Sequence, residues 1–308
     1  MRVATIDIGT NTVLLLVAER GADGVLRAVE ERATITRLGE GVDRTRRLAA
    51  AAIERTRACL DEYAGFVRAA GAERVDVVGT SAMRDAGGGE ELRAHIRATL
   101  GVEVRVVSGE EEARLTFRGA LSGLPVDLAD EVTVFDIGGG STEVVVGRPG
   151  NPPALAFAQS FDVGSVRLTE RHVAHDPPTT EERDTITRAA RDAFSRVPAL
   201  PGPQTQAPIG IAGTVTTLAA VSLALVPYDG ARIHGHILPR ADLEAVVARL
   251  AGLDLASRRD VPGMEPKRAD VIVAGGLIAL ALVDHWGATA IRVSDRGVRW
   301  GLAEELAV

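Results

Sequence analysis

Two short segments carry residue types suited to holding a polyanion. Asp7-Ile8-Gly9-Thr10-Asn11-Thr12 and Asp136-Ile137-Gly138-Gly139-Gly140-Ser141-Thr142 each place an aspartate before a glycine-bearing turn rich in hydroxyl and amide groups. Glycine lets the backbone turn so that several N–H groups point at one anion, and Thr, Asn and Ser add side-chain donors. An aspartate at a strand end can hold a divalent cation directly or through water. Either turn alone also reads as an ordinary hairpin. Two copies in one chain make a phosphate clamp, with Asp7, Gly9, Thr10 and Asn11 in one half and Gly138, Gly139, Gly140 and Ser141 in the other.

Other segments add chemistry of the same kind. Glu143 lies at the far side of the second glycine turn and reads, with Asp136, as a carboxylate pair near a metal; an exposed strand glutamate is the competing reading. Ser108-Gly109-Glu110-Glu111-Glu112 sets three acids at the start of a helical pattern, where carboxylates commonly serve the positive end of the helix dipole. Gly210-Ile211-Ala212-Gly213-Thr214 is a further glycine turn after a short apolar run. His234-Gly235-His236 has no third ligand nearby in sequence, which favours a structural or substrate-proximal role over zinc. Arg258, Arg259, Lys267 and Arg268 could line a polyanion path or only coat a solvated loop.

These residues need strands and helices to position them. The first motif joins two β-branched runs, a hairpin pattern. Residues 48–70 have helical spacing closed by Gly71, 75–79 reads as a short buried strand, 90–100 as a helix, 102–107 as a strand and 110–121 as a helix. The strand–DIG–turn–strand unit then recurs at 133–146, which predicts a duplicated domain: 1–125 and 126–308, with the boundary in the Gly/Pro-bearing stretch 122–130. In the second half, 155–161, 209–212 and 291–293 read as strands. Helices are predicted from about 163, over 181–197, 216–225, 240–251 and 269–283, and from 298 onward, with an exposed Pro/Gln-rich loop at 198–208. Strands and helices intermix throughout, so the fold class is α/β.

Composition narrows the functional classes. The chain has 308 residues, enough for two domains. Its formal net charge of −7 argues against a general nucleic-acid binder. Lys267 is the sole lysine, so an anion site here must use arginine forks, backbone N–H groups or metal ions instead of a P-loop lysine. The apolar runs at 13–18 and 271–283 are shorter than the roughly 20 residues of a membrane span, so no membrane association is expected. Cys59 is the single cysteine and reads as a small core residue; without a disulfide, a reducing cytoplasm is the simplest location. Trp286 and Trp300 read as packing residues.

The paired DIG turns, Gly210 to Thr214 and Ala274-Gly275-Gly276 resemble the phosphate and nucleotide loops of the actin-like ATPase and sugar kinase superfamily. Within it, Gly79-Thr80-Ser81-Ala82-Met83-Arg84, Ser108 to Ala113, Asp136 to Glu143 and Ser294-Asp295-Arg296-Gly297 are similar to the exopolyphosphatase/guanosine pentaphosphatase family, over essentially the whole chain. The resemblance implies two actin-like (ribonuclease H-like) domains around a central cleft. It implies hydrolysis of the terminal phosphoanhydride of inorganic polyphosphate with Mg²⁺ or another divalent cation. Glu112 matches the catalytic glutamate, Arg84 a phosphate-contacting arginine, and Gly213 and Thr214 further phosphate contacts; Asp136 and Glu143 fall to the metal. Guanosine pentaphosphate is the alternative substrate, a superfamily kinase a rival class, and an alarmone or polyphosphate sensor without turnover the non-enzyme reading. A homodimer is plausible from the family. Long members carry an additional helical region after the two domains, so this chain is expected to be a short form, which bears on long-polyphosphate binding.

Overall fold

The apolar run that opens the chain forms β1 (Arg2–Ile8), and the turn at Gly9 sends it back antiparallel as β2 (Thr12–Arg20), with Ile8 opposite Val13. The computed structural model describes residues 1–127, 130–201 and 207–308. It divides into two units, Met1–Ser122 with Val298–Val308, and Gly123–Gly297.

In the first unit β3 (Leu26–Ile35) extends the meander, followed by α1 (Val42–Thr45) and α2 (Ala50–Ala69). Then come β4 (Arg74–Gly79), α3 (Ser81–Asp85), α4 (Glu90–Leu100), β5 (Val104–Val106) and α5 (Gly109–Leu121). The sheet order is β3-β2-β1-β4-β5, with β4 parallel to β1 and β5 parallel to β4. One face of the sheet buries Ile6, Ile8, Leu15 and Val17 against Leu60 and Tyr63 of α2 and Ile96 of α4. Each such side chain contributes about 1.5–3 kcal/mol when fully buried. Tyr63 also anchors its hydroxyl on the Val13 carbonyl at 3.1 Å, and burial pushes the nearby Cys59 thiol up, the behaviour of a core residue.

The second unit repeats the plan. β6 (Val132–Ile137), β7 (Thr142–Arg148) and β8 (Ala154–Phe161) form an antiparallel meander, and α6 (Ser165–His172) and α7 (Thr180–Ala193) follow. β9 (Ile209–Ile211) then lies parallel to β6 and runs straight into α8 (Ala212–Ser222). After α9 (Gly230–Ile233) come β10 (Ile237–Pro239), α10 (Arg240–Ala251), α11 (Leu255–Arg259), α12 (Ile272–Trp286) and β11 (Ala290–Val293). The order is β10-β11-β9-β6-β7-β8, the first unit's order read from the other edge with one added antiparallel strand. Phe135, Ile137 and Val144 pack with Val215 and Leu218 of α8 and with Ile278 and Leu282 of α12. The apolar stretch considered for a membrane is therefore a core helix; no helix among the described residues is long and apolar enough to cross one.

The two sheets carry the strand order of actin-like domains, and the class is α/β as expected. Several elements differ from the sequence reading. β3 was not foreseen, because its exposed Arg27, Glu31 and Arg32 obscure the alternation; such charges guard an edge strand against further pairing. Residues 81–85, read as part of a turn, form α3, and α8 begins at Ala212 instead of 216. The Pro/Gln-rich loop falls partly on 202–206, outside the described residues, as do 128–129 within the expected boundary. The last helix, α13 (Val298–Leu306), counted with the second half by sequence order, belongs by packing to the first unit. There Val298 and Leu302 join Val78 and Leu115, and Trp300 joins Val3 and Leu16.

The close approach of α13 to α5 depends on Gly301, where a Cβ would collide with the Leu115 carbonyl. Gly301→Ala should gain up to about 1 kcal/mol of helix propensity. A collision with backbone cannot be relieved by a rotamer change and should cost about 1–3 kcal/mol. We expect the collision to win and the urea midpoint of this variant to fall; an unchanged midpoint would mean the two helices separate freely.

Candidate active site

Each unit turns its chain at the same point with the same bond. The Gly9 N–H donates to the Thr12 carbonyl at 3.0 Å, and the Gly138 N–H to the Ser141 carbonyl at 3.0 Å. Asp7 and Asp136 stand just before these turns, on β1 and β6. Among the described residues, no protein acceptor takes the N–H of Thr10, Asn11, Gly139, Gly140 or Ser141. The carbonyls of the turns are held instead. Gly39 N–H donates to Thr10 O at 2.8 Å, and Thr36 and Arg37 N–H to Asn11 O at 3.1 and 3.0 Å. In the second unit the first turn of α6 takes the carbonyls of Gly138 and Gly139, and the Arg167 side chain takes that of Gly140. The buried Asn11 amide nitrogen has no hydrogen-bond partner, a donor left for something other than protein.

Neighbouring parallel strands bring the next residues to the same ends of the sheets, where ligands of open α/β sheets bind. In the first unit β4 leads into α3, which carries Arg84, and β5 leads into α5, which carries Glu112. Arg84 Nη1 donates to Glu112 Oε2 at 2.8 Å and to the Val107 carbonyl at 3.1 Å. Of the three acids opening α5, only Glu112 is buried, at 6% exposure. Ser108 caps the helix by accepting from the Glu111 N–H at 3.1 Å, and the Glu111 carboxylate pairs outward with Arg105 at 2.6 Å. Asp76 first, and then Glu111, hold the Arg105 guanidinium above its usual range against the effect of burial. The helix-start role and the buried acid are thus divided between different residues of one run.

In the second unit β9 enters α8 through Ala212, a non-glycine residue at φ 66°, a conformation that costs a β-carbon-bearing residue roughly 1–2 kcal/mol. Gly213 and Thr214 lie in the first turn of α8, at the positive end of its dipole. A Cβ on Gly213 would collide with the Arg268 guanidinium, and one on Gly275 would meet Thr214 at 2.5 Å, so the glycines of both motifs serve close packing around this turn. Arg258, in contrast, does not line a polyanion path. It is 2% exposed and donates to the carbonyls of Leu250, Leu253 and Ala269 and to Asp176, closing the loops beneath α11. His234 is structural too: its Nδ1 lies 3.3 Å from the Ser294 hydroxyl and 3.4 Å from the Asp295 N–H. Trp286 packs on Phe135, with its N–H on the Pro198 carbonyl, and Trp300 is buried, as packing residues are.

The metal reading can be tested on the strand register. Asp136 and Glu143 are direct partners across the β6–β7 ladder, which puts their side chains on one face about 5 Å apart at Cβ. Glu143 is 1% exposed and accepts from the Ser160 hydroxyl at 2.6 Å. Two carboxylates so placed repel unless a positive charge joins them. Among the described residues there is no group of three or more His, Cys, Asp and Glu arranged for a metal. A pair of carboxylates without further protein ligands suits Mg²⁺, which keeps several waters and shares phosphate oxygens. The residues present fit that ion.

The fold and these turns define a phosphate-handling protein of the actin-like class. The profile of the Ppx/GppA phosphatase family matches residues 16–307, and the chain belongs to that family. Exopolyphosphatase 2 of Mycobacterium tuberculosis is 40% identical over 321 aligned residues, which cover 99% of this chain and 98% of that protein. Among solved structures, an exopolyphosphatase-like protein superimposes with a TM-score of 0.90 at 34% identity, covering 99% of this chain and 97% of that one. The PPX-GPPA enzyme of Aquifex aeolicus matches at 0.82 and 34%, with 99% of each chain covered.

Glu112 and Arg84 should be energetically coupled. Removing either takes a charged partner from the other at 2.8 Å, so Arg84→Met and Glu112→Gln should each destabilise the chain, while the double variant should cost less than the sum. Denaturation of the four proteins should give a coupling of about 1–2 kcal/mol; additive effects would mean the contact contributes nothing.

Proposed function

We propose that this chain is an exopolyphosphatase that hydrolyses the terminal phosphoanhydride of inorganic polyphosphate, with Glu112 as the base that orients the attacking water. The observation that carries the reading is the buried Glu112 carboxylate, held 2.8 Å from Arg84 where the first unit's sheet meets α3 and α5. The match to exopolyphosphatase 2 supports polyphosphate over guanosine pentaphosphate as substrate.

The roles follow from the groups present. Glu112 accepts the proton of water as it attacks phosphorus, a contribution of the order of 10²–10⁴-fold from a positioned carboxylate. Arg84 fixes the direction of that carboxylate and brings a guanidinium able to take two phosphate oxygens. The N–H groups of Thr10 and Asn11 with the Asn11 amide, those of Gly139, Gly140 and Ser141, and the first turn of α8 at Gly213 and Thr214 take non-bridging oxygens. Gly9 and Gly138 make the turns possible, and Asp7 stands behind the first as Asp136 does behind the second. Asp136 and Glu143 would hold Mg²⁺, which when bound neutralises charge on the transferring phosphoryl group. The cytoplasmic location and the homodimer belong to this proposal through the single cysteine and the family resemblance.

Phosphate release from defined-length polyphosphate tests the proposal. Glu112→Ala should lower kcat by about 10²–10⁴-fold with KM changed only a few-fold, and near-normal turnover would reject Glu112 as the base. Guanosine pentaphosphate run in parallel decides the substrate, since a higher kcat/KM for it would reverse the assignment. Excess chelator should abolish release and added Mg²⁺ should restore it; turnover indifferent to chelator would remove the metal from the scheme.

A further inference from the structure

The carbonyls of the second glycine turn all point the same way, and each has a holder in one short segment. The Ser165 N–H and hydroxyl take Gly138 O at 2.9 and 3.3 Å, and the N–H groups of Val166 and Arg167 take Gly139 O at 2.9 and 3.0 Å. Arg167 Nε takes Gly140 O at 2.6 Å. A trans peptide sets its N–H opposite its carbonyl. Holding the carbonyls of Gly138, Gly139 and Gly140 against α6 therefore turns the N–H groups of Gly139, Gly140 and Ser141 to the other side. Successive N–H groups facing one side form an anion nest.

The first unit places the same device at the same point of its topology. There the segment after β3 holds the carbonyls of Thr10 and Asn11, as the segment after β8 holds those of the second turn. Both segments need a glycine at the closest approach: a Cβ on Gly39 would collide with Thr10, and one on Gly164 with Gly139. The difference is that the first unit uses backbone N–H groups alone, whereas the second commits a charged side chain at 6% exposure to its last carbonyl. Asp162, itself largely exposed, lies 3.6 Å from another nitrogen of the same guanidinium.

We propose that Arg167 is a positioning residue for the phosphate loop. By fixing the Gly140 carbonyl it commits the Ser141 N–H to the anion and completes a three-donor nest, acting through the peptide and not through its charge. The proposal rests on the phosphate-binding role of this turn. Lysine carries the same charge but has no planar Nε donor at that distance from the backbone, so it should fail as badly as an uncharged residue.

The experiment compares Arg167→Lys and Arg167→Met in a Glu112→Gln background, where inorganic tripolyphosphate can be titrated without turnover. A hydrogen bond to a charged group corresponds to a change of roughly ten- to a hundred-fold in dissociation constant, and both variants should weaken binding to that extent. In the parent, amide NMR signals of Gly139, Gly140 and Ser141 should shift on saturation, and in both variants the Ser141 response should shrink. Affinity kept by Arg167→Lys and lost by Arg167→Met would make the charge decisive and overturn the proposal. So would silence of the three amides at saturation in the parent, a measurement that holds even where a variant does not fold. Amide responses of the expected kind in a protein that releases no phosphate with Glu112 intact would sink the exopolyphosphatase reading while leaving the nest in place.

Discussion

A backbone can offer successive N–H groups to one side only if the matching carbonyls are held on the other, and this constraint organises both halves of the molecule. A glycine turn alone is too free to meet it. In each unit the chain returns after the third strand and pins the carbonyls of the first turn, with Gly39 or Gly164 admitting the approach. In each unit the next strand beside the first, β4 or β9, runs parallel to it and delivers its own turn alongside, at Thr80 to Arg84 and at Ala212 to Thr214. Duplication of the sheet is thus duplication of the pinned glycine turn.

The same constraint explains how an acidic chain handles a polyanion. With a formal charge of −7 and one lysine, long-range attraction is not available. Fields from exposed charges decay over about 8 Å at physiological salt, so oriented N–H groups and a few arginines decide the local potential. Three carboxylates of the two units are each managed differently. Glu112 is paired with Arg84, Glu143 accepts from Ser160, and Glu111 faces outward to Arg105.

Much of this was legible in the sequence, for identifiable reasons. The two DIG turns declared themselves through composition and recurrence, and strands such as β1 and β4 through apolar runs bounded by glycine. Glu112 could be separated from Glu110 and Glu111 only by family pattern, because helix-start acids look alike until burial distinguishes them. β3 escaped because its charges follow the demands of an edge and not of alternation. Arg258 read as a candidate polyanion contact because sequence cannot tell a solvated guanidinium from one caged by three carbonyls. Arg167 gave no signal, since its Nε donates to a peptide group, which carries no residue identity. The glycine at 164, directly before a helix, was the one local hint.

The return of α13 to the first unit has a consequence for how the protein is made. The second unit is one unbroken stretch, Gly123–Gly297, whereas the first is split around it. During synthesis from the N-terminus, the sheet of the first unit emerges early but lacks the helix that covers Val3, Leu16 and Val78 until residues beyond 297 appear. Its apolar face must wait, and the later-made unit can finish folding first. The order of completion is the reverse of the order of synthesis.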